Sequence, residues 1–185
     1  WSQFDYYLLY AIQMLYITEY GHPDSQTMIG RGYVDGNSVF AKTGGTLQYG
    51  NSTFGETTGK VQMSYRGIED FWGNYYNWID GLYSDGSRNI LIGNKGFNDT
   101  GVGYTNVVNG GSANIVGNVR TVQEYEDAGF IIKTTDSNSS YNTGLYDYGR
   151  LDAGRLPFFG GYCSGGSYAG VFQLRLYGSA SSALV

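Results

Sequence analysis

Glycine is the residue that most restricts what this chain can build. Thirty of its 185 residues are Gly and only two are Pro, against a usual Gly share of about 7%. Much Gly with almost no Pro means many tight turns and bulges, not a disordered linker. Between Gly30 and Lys60 a Gly recurs every few residues, with short β-prone pieces such as Ser38 to Ala41 between them. Hairpins and loops are predicted there. The length suits a single domain, residues 1–185, able to bury a core without staples.

Two segments carry helical spacing. Phe4, Tyr7, Leu8, Ala11, Leu15 and Thr18 recur at three- and four-residue steps, with Ile12 widening the stripe. Gly21 and Pro23 stop the pattern, which predicts a helix over about residues 3–20. Tyr6, Tyr10, Met14 and Ile17 make it apolar almost all round, and such a helix is expected to pack on more than one side. Ile68, Phe71, Trp72, Tyr75 and Ile79 predict a second helix over about residues 68–80. Glu69 and Asp70 would complement its dipole, and Gly73 within it would mark close approach of another backbone. Residues 89–92, 119–122 and 130–133 read as short strands, and 93–117 as a surface excursion. Gly170 to Tyr177 alternates cleanly: Phe172, Leu174 and Leu176 point one way, and Val171, Gln173, Arg175 and Tyr177 the other.

Composition excludes several function classes. Eleven Lys and Arg against sixteen Asp and Glu give a net charge of −5, with no basic stretch to follow a phosphate backbone, so nucleic acid is not an expected partner. The apolar run Tyr6–Ile17 is too short to span a bilayer, and no membrane insertion is expected. The single Cys163 excludes a disulfide framework and any Cys-based zinc site. The chain opens at Trp1 without an initiator Met or a signal-peptide pattern, so an upstream part is expected to be missing.

Catalytic candidates are few. Cys163 has only His22 as a basic partner, and that His sits in a turn beside Pro23. Glu69, Asp70, Asp80, Glu124, Glu126 and Asp127 could supply paired acids for glycoside hydrolysis, but helix-start and turn roles account for them. No phosphate loop, dinucleotide fingerprint, EF-hand or HExxH is present, and no cofactor or metal is implied. The N-x-S/T matches at Asn51, Asn98 and Asn138 are what chance gives in an Asn/Ser-rich chain.

The carboxy-terminal third is more informative. Residues 134–185 contain no Lys, Glu, Met or Trp and a single Gln, while Tyr, Gly, Ser, Asp and Arg alternate. An Asn codon randomised at its two adenines yields Tyr, Ser, Asp, Gly, Arg, Leu or Cys, and never Lys, Glu, Gln, Met or Trp. Tyr, 19 of 185 residues, gives large amphipathic contact area at small entropic cost.

Two motifs carry a family resemblance. Trp72-Gly-Asn-Tyr-Tyr-Asn-Trp-Ile-Asp80 resembles the GNVWEWV-type element of the C-type-lectin-like fold shared with formylglycine-generating enzymes. Gly160-Gly-Tyr-Cys-Ser-Gly-Gly-Ser-Tyr-Ala-Gly-Val-Phe-Gln-Leu-Arg-Leu-Tyr-Gly-Ser-Ala-Ser-Ser182 resembles the terminal segment of variable proteins of diversity-generating retroelements. Cys163 stands where that segment carries Trp, and Asn77 where the first motif carries Glu.

The resemblance implies an α+β C-type-lectin-like fold, with two helices flanking a short twisted antiparallel sheet and long Gly-rich loops. It implies a ligand- or receptor-binding variable protein without catalysis, on a virion (tail or fibre) or extracellular surface. Its expected partner is a host or target cell-surface protein or glycan, and it allows a homo-oligomer within a virion fibre. The variable region would span about 141–182. Template Asn positions fall on Tyr162, Ser164, Ser167, Tyr168, Arg175, Tyr177 and Gly178, with a second block at Tyr146, Asp147, Tyr148, Arg150 and Asp152. One Cys cannot supply the thiol pair of formylglycine chemistry. The alternatives are a phage tail-associated glycan-degrading enzyme and a calcium-dependent carbohydrate-binding lectin.

Overall fold

A computed structural model describes residues 3–126, 128–136 and 147–179. Helix α1 (Tyr6–Tyr20) starts where the Asp5 carboxylate accepts the Leu8 N–H at 2.8 Å. It ends at Gly21, whose left-handed backbone returns an N–H to the Ile17 carbonyl. The face it buries is Tyr6, Leu9, Ile12, Gln13 and Tyr16, while Tyr7, Leu8, Met14 and Leu15 are exposed. Most of the stripe picked out by spacing thus faces out, Ile12 and Phe4 excepted, and among the described residues the helix packs on one side and not on several as expected. Two apolar stripes compete in this sequence, and polar tips decide between them. Tyr6 Oη donates to the Phe130 carbonyl at 3.2 Å and Gln13 Nε2 to the Val171 carbonyl at 2.9 Å, so this face buries its rings and ties two polar tips to distant carbonyls, while Gln13 Oε1 and Tyr16 Oη have no partner among the described residues.

The second expected helix does not form. Residues 64–80 fold into β2 (Ser64–Tyr65), β3 (Ile68–Glu69) and, after an irregular turn, β4 (Asn77–Asp80). Asp70, Gly73 and Asn74 all have left-handed backbone (φ +53°, +80° and +57°), which no helix tolerates. Tertiary bonds hold them there: Asp70 N–H to the Met63 carbonyl, Gly73 N–H to Gly160, and Asn74 N–H to Tyr33. Trp72 is fully buried and its indole N–H reaches the Gly30 carbonyl at 3.0 Å. Gly73 does mark a close approach: a Cβ there would lie 3.0 Å from the Tyr33 nitrogen. Glu69, instead of capping a helix, accepts N–H bonds from Gly44 and Thr46 and orders that loop.

The remaining strands are β1 (Phe4–Asp5), β5 (Leu82–Ser84), β6 (Ile90–Ile92), β7 (Thr105–Val108), β8 (Ile115–Tyr125), β9 (Gly129–Asp136), β10 (Tyr148–Leu151), β11 (Leu156–Gly160) and β12 (Gly170–Gly178). Seven form one mixed sheet in the order β1-β4-β11-β12-β10-β8-β9. β5-β6-β7 and β2-β3 form two small sheets. The pairs β1–β4 and β10–β12 are parallel, and the others in the large sheet antiparallel. One face of this sheet, through Ile79, Phe159, Phe172, Leu174 and Leu176, joins α1 in the core.

This overturns the C-type-lectin-like expectation of two helices flanking a short antiparallel sheet. Among the described residues there is one long helix, a single turn α2 (Ser25–Met28) and twelve strands, so the chain is mostly β. For the second helix the difference lies at residues 68–79, where the spacing that mimics a helix belongs to strands and left-handed turns held by tertiary bonds, with Phe71, Trp72 and Ile79 in the core and Tyr75 exposed. No described helix is long and apolar enough to cross a membrane.

The turn at Asp70 gives a pH signature. Burial, with Glu69 adding and bonds from Asn74 and Gln62 opposing, pushes its carboxyl from the ordinary 3.8 up to about 6. Between pH 4 and 6 the unfolded chain releases this proton while the folded chain keeps it, so the stability present below pH 4 is lost as pH rises. Asp70→Asn keeps an acceptor for Gln62 and Asn74. The variant should show a flatter urea midpoint between pH 4 and 6, and be about 1 kcal/mol more stable at pH 7 after discounting the shift for solvent screening.

Candidate binding face

β12 is paired along both edges, so its pleat dictates which side chains leave the core. Phe172, Leu174 and Leu176 face in; Gln173, Arg175 and Tyr177 take the opposite side. That outer side is open only from Arg175 onward, since Val171 and Gln173 are buried as well. Register then aligns a row across four strands: Trp78 beside Phe158, Phe158 beside Arg175, and Arg175 beside Arg150.

Rings and guanidinium groups interleave along this row. Arg175 lies 4.3 Å from the centre of the Tyr148 ring and 5.4 Å from that of Tyr76. Tyr76 stacks on Tyr162 at 5.1 Å and leans on Phe158 at 4.5 Å, and Tyr148 tilts against Tyr168 at 5.3 Å. Arg150 sits 3.7 Å above the Tyr177 ring. Burial pushes the Tyr76 phenol up to about 12, although the Arg175 charge pulls the other way. Each cation over a ring contributes about 0.5–2 kcal/mol, most where water is excluded.

The two arginines differ in what neutralises them. Arg150 donates from Nε and Nη2 to the Asp152 carboxylate at 3.1 and 2.8 Å, and this raises its already high pKa further. Arg175 makes no ion pair among the described residues, and its Nε is buried without a partner. Both amide atoms of Gln173, one pleat away and 1% exposed, also lack partners. The Gln173 amide and Arg175 Nε are sealed beneath the row, so they mark an incompletely paired support and not a surface open to a guest; what faces outward is the half-buried Arg175 side chain between its two rings.

The loop 161–169 beside this row is held by backbone bonds. Cys163 N–H donates to the Asn74 carbonyl at 2.9 Å, Gly36 N–H to the Cys163 carbonyl at 2.7 Å, and Gln26 Nε2 to the Gly166 and Ala169 carbonyls. Ser164 Oγ accepts the Ser38 N–H at 2.6 Å, which brings Phe40, stacked on Tyr75 at 4.3 Å, toward the loop. Cys163 itself is fully buried. His22 is exposed, with its Nδ1 accepting the Asp24 N–H. No described cluster of His, Cys, Asp and Glu could hold a metal ion.

The candidate residues thus fall into distinct places. Tyr168 (46% exposed), Tyr177 (44%), Ser164 and Ser167 are exposed, and Tyr148, Arg150, Tyr162 and Arg175 are half-buried in the row. Asp152 is buried against Arg150. Asp147 is 3% exposed, its carboxylate accepting the Phe172 N–H at 2.7 Å, and burial holds its pKa well above the ordinary range. Gly178 is buried under the Trp78 ring, which a Cβ would overlap. Tyr146 lies outside the described residues, as do 141–145 and 180–182 of the expected variable region. Tyr76, Trp78 and Phe158 belong to the row and were not singled out as binding residues; β11 gave no sequence signal, and β4 was masked by the helical spacing.

Neighbouring positions should therefore respond oppositely to substitution. Gly178→Ala forces Trp78 to move and should cost about 1–3 kcal/mol. Tyr177→Ala, one residue before, removes a half-exposed ring and should cost about 1 kcal/mol or less. Thermal and urea melts of the two variants check this; equal losses would mean that strand parity does not separate support from surface.

No protein-family model matches the sequence, and no curated protein does either.

Proposed function

We propose that this chain is a ligand-binding variable protein, of the kind diversified by a retroelement, and that it recognises a host or target surface molecule through the outer face of β10, β11 and β12 without catalysing a reaction. The reading places it on a virion or another extracellular surface. The observation that carries it is the aromatic–arginine row, in which Tyr148, Tyr162, Tyr168, Arg175 and Tyr177 sit on a strand framework whose inward side is packed.

Three features support it. Tyr and Arg are the residues that dominate binding hot spots, because each offers a large rigid area with a polar tip. The codon-restricted composition of residues 134–185 is what adenine-directed diversification would leave. Beneath β10 and β12 Asp152 is engaged with Arg150 and Asp147 with a backbone N–H, so neither is placed as a free acid or base. These features favour recognition over a glycan-degrading activity.

The reading is tested by display of two libraries on yeast. One randomises Tyr148, Tyr162, Ser164, Ser167, Tyr168, Arg175 and Tyr177; the other randomises Phe172, Leu174 and Leu176. Most clones of the first should stay protease-resistant and yield binders when panned on unrelated proteins, while few of the second should remain folded. Comparable folding losses in both, or no binders from the first, would defeat the proposal.

A further inference from the structure

At the β1–β4 edge of the large sheet lies a groove of about 460 Å³ whose lining includes Tyr76, Trp78, Asp80, Asp99, Leu82 and Leu156. Residues two apart on a strand share a face, so Trp78 and Asp80 lie in line along β4, with Tyr76 immediately before the strand also lining the groove. The parallel register sets Asp5 beside Asp80, which adds a third carboxylate to that side. Among the described residues no Lys or Arg lines the groove, and none of Asp5, Asp80 and Asp99 is in an ion pair, Asp5 lying outside the lining with its carboxylate capping α1. Burial, with Asp5 and Asp99 adding, raises the pKa of Asp80. Burial is the larger cause and the neighbouring carboxylates the smaller one; the cation close to the groove's rings is Arg175, on Tyr76 at its inner end.

Aromatic lining and uncompensated carboxylates select the same guest. A hard metal ion needs six or more oxygen ligands, and no described cluster offers even three acidic, His or Cys ligands in reach of one ion. A neutral apolar guest would leave the carboxylates unmatched. A bulky, weakly hydrated cation gains from both the ring quadrupoles and the negative field. We propose that this groove binds an alkylated ammonium group against Trp78 and Tyr76, with Asp80 and Asp99 as its counter-charge. Choline-type head groups and methylated lysine side chains share this chemistry. The site adjoins the Arg175 row and shares Tyr76 and Trp78 with it, but its carboxylates are not among the residues on which the function proposed above rests.

The test is calorimetric titration of the full chain with choline, with 3,3-dimethylbutan-1-ol as its uncharged isostere, and with a peptide carrying trimethyl-lysine. Saturable binding of choline or the peptide is expected, with the isostere weaker by about three- to thirtyfold. The relative affinities of choline and the peptide show which source fits better. Asp80→Asn and Asp99→Asn, which preserve side-chain shape, should together remove most of this preference without lowering Tm. Trp78→Leu should weaken binding as well, read beside its melting curve because Trp78 also covers Gly178. Equal binding of choline and its isostere, binding unchanged in the double Asn variant, or no saturation by either cation would overturn the assignment.

Discussion

Hydrogen bonding of β12 along both of its edges is the constraint on which the rest of the architecture turns. It runs parallel to β10 and antiparallel to β11, so it cannot slip by one residue without breaking two ladders and turning Leu174 and Leu176 to the outside. Its even positions seal the sheet against α1, and Gln13 adds a side-chain bond to the Val171 carbonyl from the helix side. With the inner face locked, Arg175 and Tyr177 have no part in holding the core. Variation at such positions is tolerated because the energy of folding resides elsewhere.

The support beneath the exposed row is more specific than alternation alone implies. Asp147 sits directly before β10 with its carboxylate on the Phe172 N–H, against a face of Gly170 where a Cβ would overlap it. A larger residue at 170 or a shorter one at 147 would unlink the start of β12 from β10. Gly178 is constrained in a similar way by the Trp78 ring. Both sequence blocks that resemble variable segments therefore contain positions whose chemistry is dictated by packing.

What the sequence disclosed follows from which interactions are local. β12 was legible because alternation over eight residues admits one reading, and the end of α1 because Gly21 is a local stop. The strands expected at 89–92, 119–122 and 130–133 were legible as β-rich runs, though β8 and β9 extend well beyond theirs. The region 68–80 was not, because its spacing fits a helix and only long-range bonds from Met63, Tyr33 and Gly160 hold Asp70, Gly73 and Asn74 left-handed. Misreading that region hid β4 and with it Tyr76 and Trp78. The choice between the two stripes of α1 was equally hidden, since it depends on carbonyls of Phe130 and Val171 more than a hundred residues away.

The outer face is graded in charge, and its dimensions decide whether the grades act together. Strands lie about 4.8 Å apart, so β4 stands about 10 Å from β12 and about 14 Å from β10. Physiological salt screens charges over about 8 Å. Arg175 and Arg150 at one end and Asp80 with Asp5 at the other are thus electrostatically distinct, with Tyr76, Phe158 and Trp78 as an uncharged aromatic strip between them. A large partner could cover the whole strip and meet both signs, gaining orientation from the gradient as well as area from the rings. A small ligand would meet only one end. The screening lets charges along β10 and β12 change with little effect on the field at the acidic end, although packing still joins the two through Arg175 on Tyr76 and Trp78 over Gly178.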